Sequence, residues 1–341
     1  MKINQQRLKG KHFLLIIPVL AFVCIAAALV PNSYAAIPAA SNDVPVGNLS
    51  GWKQIYSEDF LTSASSSSFQ CAQYGCSLYG GKMSAYPNGW LDTSKKGTYY
   101  PEKTLSVHDG LLDIHMFNEG TTFYSSAPTL QLPPTYDNKS AKIDVRFKSD
   151  GPVPGYKTAW LLWPKSEVWP GDGEIDFPEG DISGNMGGFM HRQNGVNGGD
   201  QDAYPNVAFS GNRQYTQWHT VTLEWDAGSY LKTYIDGVLF GTSTSRVPST
   251  AMRYVLQTET CGSTCPVAGV DGHIYIDWIA YYEKAAVVVV VGDLNSDSRV
   301  NISDLSILIS KWGTNSKPAD INNDGIVNIN DLSILLSHWT G

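Results

Sequence analysis

From residue 49 to residue 283, apolar side chains recur with a period of two or in short unbroken runs, and no helical period intervenes. Leu111-Leu112-Asp113-Ile114-His115-Met116, Lys142-Ile143-Asp144-Val145-Arg146-Phe147, Thr220-Val221-Thr222-Leu223-Glu224-Trp225 and His273-Ile274-Tyr275-Ile276-Asp277-Trp278 all follow this rule. They are rich in β-branched and aromatic residues and are separated by Gly, Pro and Ser, the signature of strands and turns. Asp236-Gly237, between apolar runs, marks a hairpin. Strands without helices to cover them must bury one sheet against another, so the segment is expected to be an all-β sandwich of two large sheets. Its many Trp and Tyr residues, apolar on the face and polar at the edge, suit sugar binding and sandwich cores alike.

The last fifty residues change character. Two segments repeat at a period of 27 residues, beginning at Asp293 and Asp320. Counted from those residues, positions 1, 3, 5, 9 and 12 are Asp293, Asn295, Asp297, Asn301 and Asp304, then Asp320, Asn322, Asp324, Asn328 and Asp331. This is the ligand spacing of an EF-hand loop, in which position 7 lends a backbone carbonyl, here that of Arg299 or Ile326. Gly325 fills the sharp turn at position 6 of the second loop, whereas the first has Ser298, which is expected to weaken that site. Each loop runs into an amphipathic segment, 305–312 and 332–339, with Leu, Ile and Trp at helical spacing. The whole of 292–341 resembles a type I dockerin domain, a small α-helical EF-hand-like module. The resemblance implies two calcium ions and docking to a cohesin-bearing scaffold protein. Positions 10 and 11, which carry partner choice in cellulosomal dockerins, are Ile302-Ser303 and Ile329-Asn330 in place of the common Ser-Thr pair. An intramolecular or non-cellulosomal role therefore stays open.

The densest acidic cluster of the large segment is Gly173-Glu174-Ile175-Asp176-Phe177-Pro178-Glu179. Residues i and i+2 of a strand share a face, so Glu174 and Asp176 do. Glu179 points away unless the strand gains a residue. A β-bulge supplies one, and Pro178, which cannot donate to the ladder, fits it. The Glu174 and Glu179 α-carbons then lie about 13 Å apart at ~3.3 Å per residue. Side chains leaning together close much of that gap, toward the roughly 5–5.5 Å of a retaining glycosidase. On this reading ionised Glu174 attacks an anomeric carbon, and protonated Glu179 donates to the leaving oxygen and later activates water. A negative Asp176 between them is expected to raise the pKa of Glu179 and to orient Glu174. The plain alternative is a solvated acidic strand or a further calcium site. The interleaved Ile175 and Phe177, and Trp160, Trp163 and Trp169 just upstream, favour an acidic cleft walled by tryptophan.

Ala159-Trp160-Leu161-Leu162-Trp163-Pro164, Trp169-Pro170 and the acidic motif together resemble glycoside hydrolase family 16, in the bulged Glu-x-Asp-x-x-Glu form of laminarinases. Further agreement comes from Trp52 to Phe60, from Trp218-His219 to Trp225, from Tyr234-Ile235-Asp236-Gly237, and from Ile276 to Tyr282. The resemblance spans 49–283. It implies a β-jelly roll and a retaining mechanism without a catalytic cofactor, with Glu174 as nucleophile, Asp176 as helper and Glu179 as acid/base. His191 matches the histidine on the following strand, touching sugar or nucleophile, with a purely structural role as the alternative. Trp169 matches the tryptophan of the cleavage subsite. Trp160 and Trp163 are candidates for sugar stacking or for the core. The loop 192–204, with Asp200, Gln201 and Asp202, departs from the laminarinase pattern where substrate choice is expected to lie. The expected substrate is a β-1,3- or mixed-linkage glucan, and the alternatives are a galactan or a non-catalytic carbohydrate-binding jelly roll.

The N-terminus reads as an export signal over 1–35, followed by a spacer over 36–48. Lys2, Arg7, Lys9 and Lys11 precede an apolar run, and Ser33-Tyr34-Ala35 offers small residues for cleavage after Ala35. The run is nearly long enough to span a bilayer, so an uncleaved anchor is the alternative. Losing four positive charges takes the net charge from −8 to −12, which disfavours nucleic acid and suits a secreted protein free of the membrane. Four of the five cysteines then remain. Four allow three connectivities, and proximity favours Cys71–Cys76 and Cys261–Cys265. Neither pair has the spacing or histidine company of a zinc site. A short apolar linker, 284–291, joins the two domains.

Overall fold

A computed structural model of the chain describes residues 44–197, 199–285 and 290–340. The expected export signal, the expected cut after Ala35, most of the expected spacer and the middle of the expected linker lie outside the described residues. Among the described residues, no helix is long and apolar enough to cross a membrane.

Among the described residues two sheets form, of eleven and seven strands. In the larger, Ser140–Ser149 lies between His219–Asp226 and the long strand Asp271–Lys284, and Leu111–Glu119 flanks that strand on its other side. The smaller runs in the order Gln201–Tyr204, Gly187–His191, Glu174–Asp181, Tyr156–Pro164, Met252–Thr260, Pro128–Leu130 and Met83–Ala85. Pairing is antiparallel except where Gly97–Tyr99 lies parallel to Thr122–Ser125. The predicted hairpin joins Tyr230–Ile235 to Val238–Ser243. Asp236 and Gly237 both take positive φ, 51° and 76°, as a two-residue turn of this hand requires.

The core lies between the sheets. Val145 and Phe147 of the larger meet Trp160, Leu162 and Ile175 of the smaller, and the Phe147 and Trp160 rings approach to 4.6 Å. Along Tyr156–Pro164 the even positions face inward, so Ala159, Leu161 and Trp163 look outward. This corrects one expectation: Trp160 is wholly buried and cannot stack on a sugar. Residues three apart on a strand face opposite ways, so only one of Trp160 and Trp163 could have lined a cleft. Burying an indole outright stabilises the sandwich by about 2–3 kcal/mol.

Both expected disulfides form, with α-carbons 5.3 Å apart for Cys71–Cys76 and 4.0 Å for Cys261–Cys265. In the C-terminal segment the helices are Ile302–Ser310 and Ile329–Ser337. They start three residues before the apolar periodicity does. The reason is capping: Asn301 and Asn328 accept backbone N–H bonds of the first turn, and Asp304 and Asp331 reach back to complete capping boxes. Val300, Leu308, Ala319, Val327 and Leu335 form the small core of this module.

Candidate active site

The acidic strand Glu174–Asp181 carries the expected bulge. Three steps from Asp176 to Glu179 are matched by two on each neighbour, Leu161 to Ala159 and Phe189 to Gly187. The Phe177–Pro178 peptide within it is cis. Glu174, Asp176 and Glu179 consequently line one cleft of about 310 Å³, together with Lys157, Trp163, Trp169 and His191. Trp169 Nε1 donates to Glu174 Oε2 at 2.6 Å. His191 pairs with Glu174 across the strands, and its Nε2 lies 3.8 Å from Glu174 Oε2 and 3.7 Å from Asp176 Oδ2. Its ring meets Trp169 edge-on at 5.5 Å.

Electrostatics separates the three acids. Burial is the main cause that pushes Glu174 up to about 7, with the charges of Glu179 and Glu259 adding, while hydrogen bonds from Trp169 and Asp176 pull it back. Asp176 rises well above the usual carboxylate range through burial, then the charges of Glu174 and Glu179. Burial also raises Glu179, Lys157 opposes it, and Glu259 adds to it. A negative Asp176 was expected to lift Glu179. After burial, the charge that raises Glu179 is that of Glu259, while the Asp176–Glu179 repulsion acts on Asp176.

Lys157 and Glu259 had no sequence signal, since they reach the cleft only through strand pairing. They sit opposite each other. Lys157 Nζ lies 3.0 Å from Glu259 Oε1 and 3.2 Å from Glu179 Oε1. Glu259 is buried and also accepts from the Thr93 hydroxyl. The Lys157 charge is thus shared between two carboxylates.

The cleft continues into a second space of about 490 Å³, lined by Tyr74, Tyr86, Trp90, Tyr99 and Arg253 among others. Thr93, Trp163, Glu174 and Gln257 border both. Tyr74 and Trp90 stack at 6.1 Å with 6° between their planes, and Trp163 and Trp169 stack at 6.5 Å and 9°. The Cys71–Cys76 disulfide closes the loop that carries Tyr74. Trp163 Nε1 donates to Glu167 at 2.7 Å, and Glu167 also pairs with Arg253. The second disulfide supports the far end of the acidic strand, where Ser263 N donates to Asp181 at 3.0 Å. In the 192–204 loop, Asp202 pairs with Arg192 and Asp200 with Arg246, so these acids are already neutralised. An open groove with aromatic walls and buried carboxyls can hold an extended glycan and exchange protons with it.

Solved structures share this architecture. An endo-1,3-β-glucanase from Streptomyces sioyaensis is 19% identical with a TM-score of 0.53, covering 72% of this chain and 98% of its own. A non-specific endo-β-1,3(4)-glucanase of family 16 is 18% identical with a TM-score of 0.51, covering 71% and 94%. The sandwich has the fold of the family 16 glucanases. An endo-acting O-glycanase of the human gut microbiota, described as initiating mucin breakdown, aligns at 15% identity and a TM-score of 0.51 over 67% of this chain and 98% of its own. The glucanase fold therefore also serves other glycans, and its presence alone does not fix a substrate. Residues 291–338 match the dockerin type I domain. No curated protein matches the chain in sequence.

In the first dockerin loop, ligand atoms of Asp293, Asp297 and Asp304 lie within 4.8 Å of one another. Asp304 Oδ1 accepts from Leu294 N and Asn295 N, and Asp293 Oδ2 from Ser298 N. The second loop repeats these bonds: Asp331 Oδ1 accepts from Ile321 N and Asn322 N, and Asp320 Oδ2 from Gly325 N. Ser298 and Gly325 both take positive φ, 66° and 95°. Serine bears a steric cost there that glycine does not, about 1 kcal/mol. Asn301 and Asn328, expected as ligands, are engaged as helix caps.

Proposed function

We propose that the chain is a secreted, retaining endo-glycoside hydrolase that cuts a β-1,3- or mixed-linkage glucan, carried by a calcium-loaded dockerin. The observation that carries this reading is the bulge, which turns Glu179 onto the same face as Glu174 and Asp176 inside an aromatic-walled groove. Glu174 receives hydrogen bonds from Trp169 and from Asp176, the support a carboxylate needs to carry charge. It attacks the anomeric carbon as the glycosidic C–O bond breaks, and Glu179 protonates the departing oxygen. Glu179 then takes a proton from water, the hydroxide displaces Glu174, and the product keeps the β configuration. Lys157 restrains the upward shift of Glu179 and so keeps its basic form accessible for the second step. Trp163 and Trp169, with Tyr74 and Trp90, are the stacking surfaces for the sugar chain.

The test is a digest of β-1,3-glucan, mixed-linkage glucan and galactan, with products followed by proton NMR. Oligosaccharides with fresh β-anomer should appear first from a glucan. Early α-anomer rules out the retaining scheme, galactan preference redirects the substrate, and binding without cleavage leaves a lectin-like jelly roll. A second expectation concerns pH. Lys157 lowers the pKa of Glu179, so Lys157→Met should let Glu179 hold its proton to higher pH. The alkaline limb of the kcat/KM profile then moves up. A limb that stays or falls removes Glu179 as the acid.

Dockerin type I domains bind calcium and dock to cohesins on scaffold proteins, and dockerin-bearing enzymes are generally extracellular or bound at the cell surface. The oxygen-only donor sets of both loops fit that ion. Asp293, Asn295, Asp297 and Asp304, with the Arg299 carbonyl, would hold one ion. Asp320, Asn322, Asp324 and Asp331, with the Ile326 carbonyl, would hold the other. The export signal and the dockerin support secretion toward a cohesin-bearing scaffold.

A further inference from the structure

The larger sheet carries a second constellation, unrelated to the groove. His115 and His273 are direct partners on adjacent antiparallel strands, so their side chains leave the sheet on the same face. Their rings lie parallel, with centroids 4.2 Å apart and 4° between planes. Asp271 precedes His273 by two residues and shares its face. Its carboxylate lies 3.1 Å from His115 Nε2 and 3.9 Å from His273 Nε2. One ligand atom from each of the three residues lies within 4.8 Å of the other two.

His273 is further constrained from behind. Its Nδ1 bonds Asp113 Oδ1 at 2.8 Å, and Asp113 is buried. A carboxylate on Nδ1 keeps the proton there and turns the Nε2 lone pair toward His115 and Asp271, which is the outer half of a carboxylate–histidine–metal arrangement.

We propose that His115, His273 and Asp271 form a surface site for a divalent transition metal of the zinc type, with water completing the coordination. Two imidazole nitrogens and one carboxylate suit zinc, copper or nickel, whereas calcium prefers oxygen alone. Bonds of about 2.0–2.1 Å call for donor separations of about 3.4 Å. Exposed Asp271 can reach that spacing by rotation, and the two rings by tilting out of their stack. That tilt works against the stacking of His115 on Phe117 and of His273 on Tyr275.

The experiment titrates the full chain with Zn²⁺ in a large excess of Ca²⁺, which keeps the oxygen-only loops occupied, and reads uptake by calorimetry. One zinc ion should bind. Asp113→Asn, which touches no metal, should weaken uptake by about ten- to a hundredfold, and His273→Gln or Asp271→Asn by more. Asp271 is exposed, so its variant guards against a folding artefact. His191→Gln should leave uptake unchanged, because it removes the histidine of the other His-bearing acidic group among the described residues, beside Glu174 and Asp176. Absence of zinc uptake, uptake that survives both His273→Gln and Asp271→Asn, or uptake lost with His191→Gln overturns the proposal.

Discussion

Glu174→Gln should lower turnover on the preferred glucan by on the order of a thousandfold or more, because an amide cannot form the glycosyl-enzyme. That factor corresponds to about 4 kcal/mol of transition-state stabilisation. The substitution preserves shape, and the Trp169 N–H that now donates to Glu174 can donate to the amide oxygen instead, so the fold and the groove should survive. Steady-state rates should therefore collapse while binding of an uncleaved glucan persists. A variant retaining a tenth of the wild-type rate would show that Glu174 is not the nucleophile. Loss of binding together with rate would point to a disrupted groove instead. Asp176→Asn should cost less, because Asp176 supports Glu174 through a side-chain hydrogen bond that an amide N–H can partly replace.

What could be read from the sequence was local. The three acids, the need for a bulge and the place of Pro178 all follow from spacing within one strand, and the structure has them as expected. The dockerin repeat was legible for the same reason, its loop spacing lying within a dozen residues, but the capping roles of Asn301 and Asn328 were not. What was missed depends on pairing between distant segments. Lys157 meets Glu259 only because Tyr156–Pro164 lies beside Met252–Thr260. Tyr74 and Trp90 join the cleft from a disulfide loop and a short strand far upstream of the acids. Trp160 was misread in part for want of a fixed register, since one step along the strand decides between core and cleft. The burial of Asp176 could not be read for the same reason: a sequence shows an acid, but the packing around it decides how far its pKa rises.

Removal of calcium should unfold the C-terminal module and leave catalysis intact. Only five apolar side chains are fully buried in its core among the described residues, too few to order some fifty residues without a metal. Each loop also gathers acidic side chains. In the first, those of Asp293, Asp297 and Asp304 converge within 4.8 Å, and without a cation their mutual repulsion favours the open chain. Binding energy at such sites becomes folding energy. Far-ultraviolet circular dichroism of the isolated module should therefore lose its helical signal on chelation and regain it with calcium. The loop with Gly325 should bind more tightly than the loop with Ser298, whose side chain is strained at positive φ. Ser298→Gly should narrow that difference. The sandwich owes its stability to the extended core between its sheets, so glucan hydrolysis by the full chain should continue in chelator. A module equally helical without calcium would refute the loop assignment. Loss of hydrolysis on chelation would mean either that the module's folding is coupled to the sandwich or that the sandwich itself depends on a calcium ion.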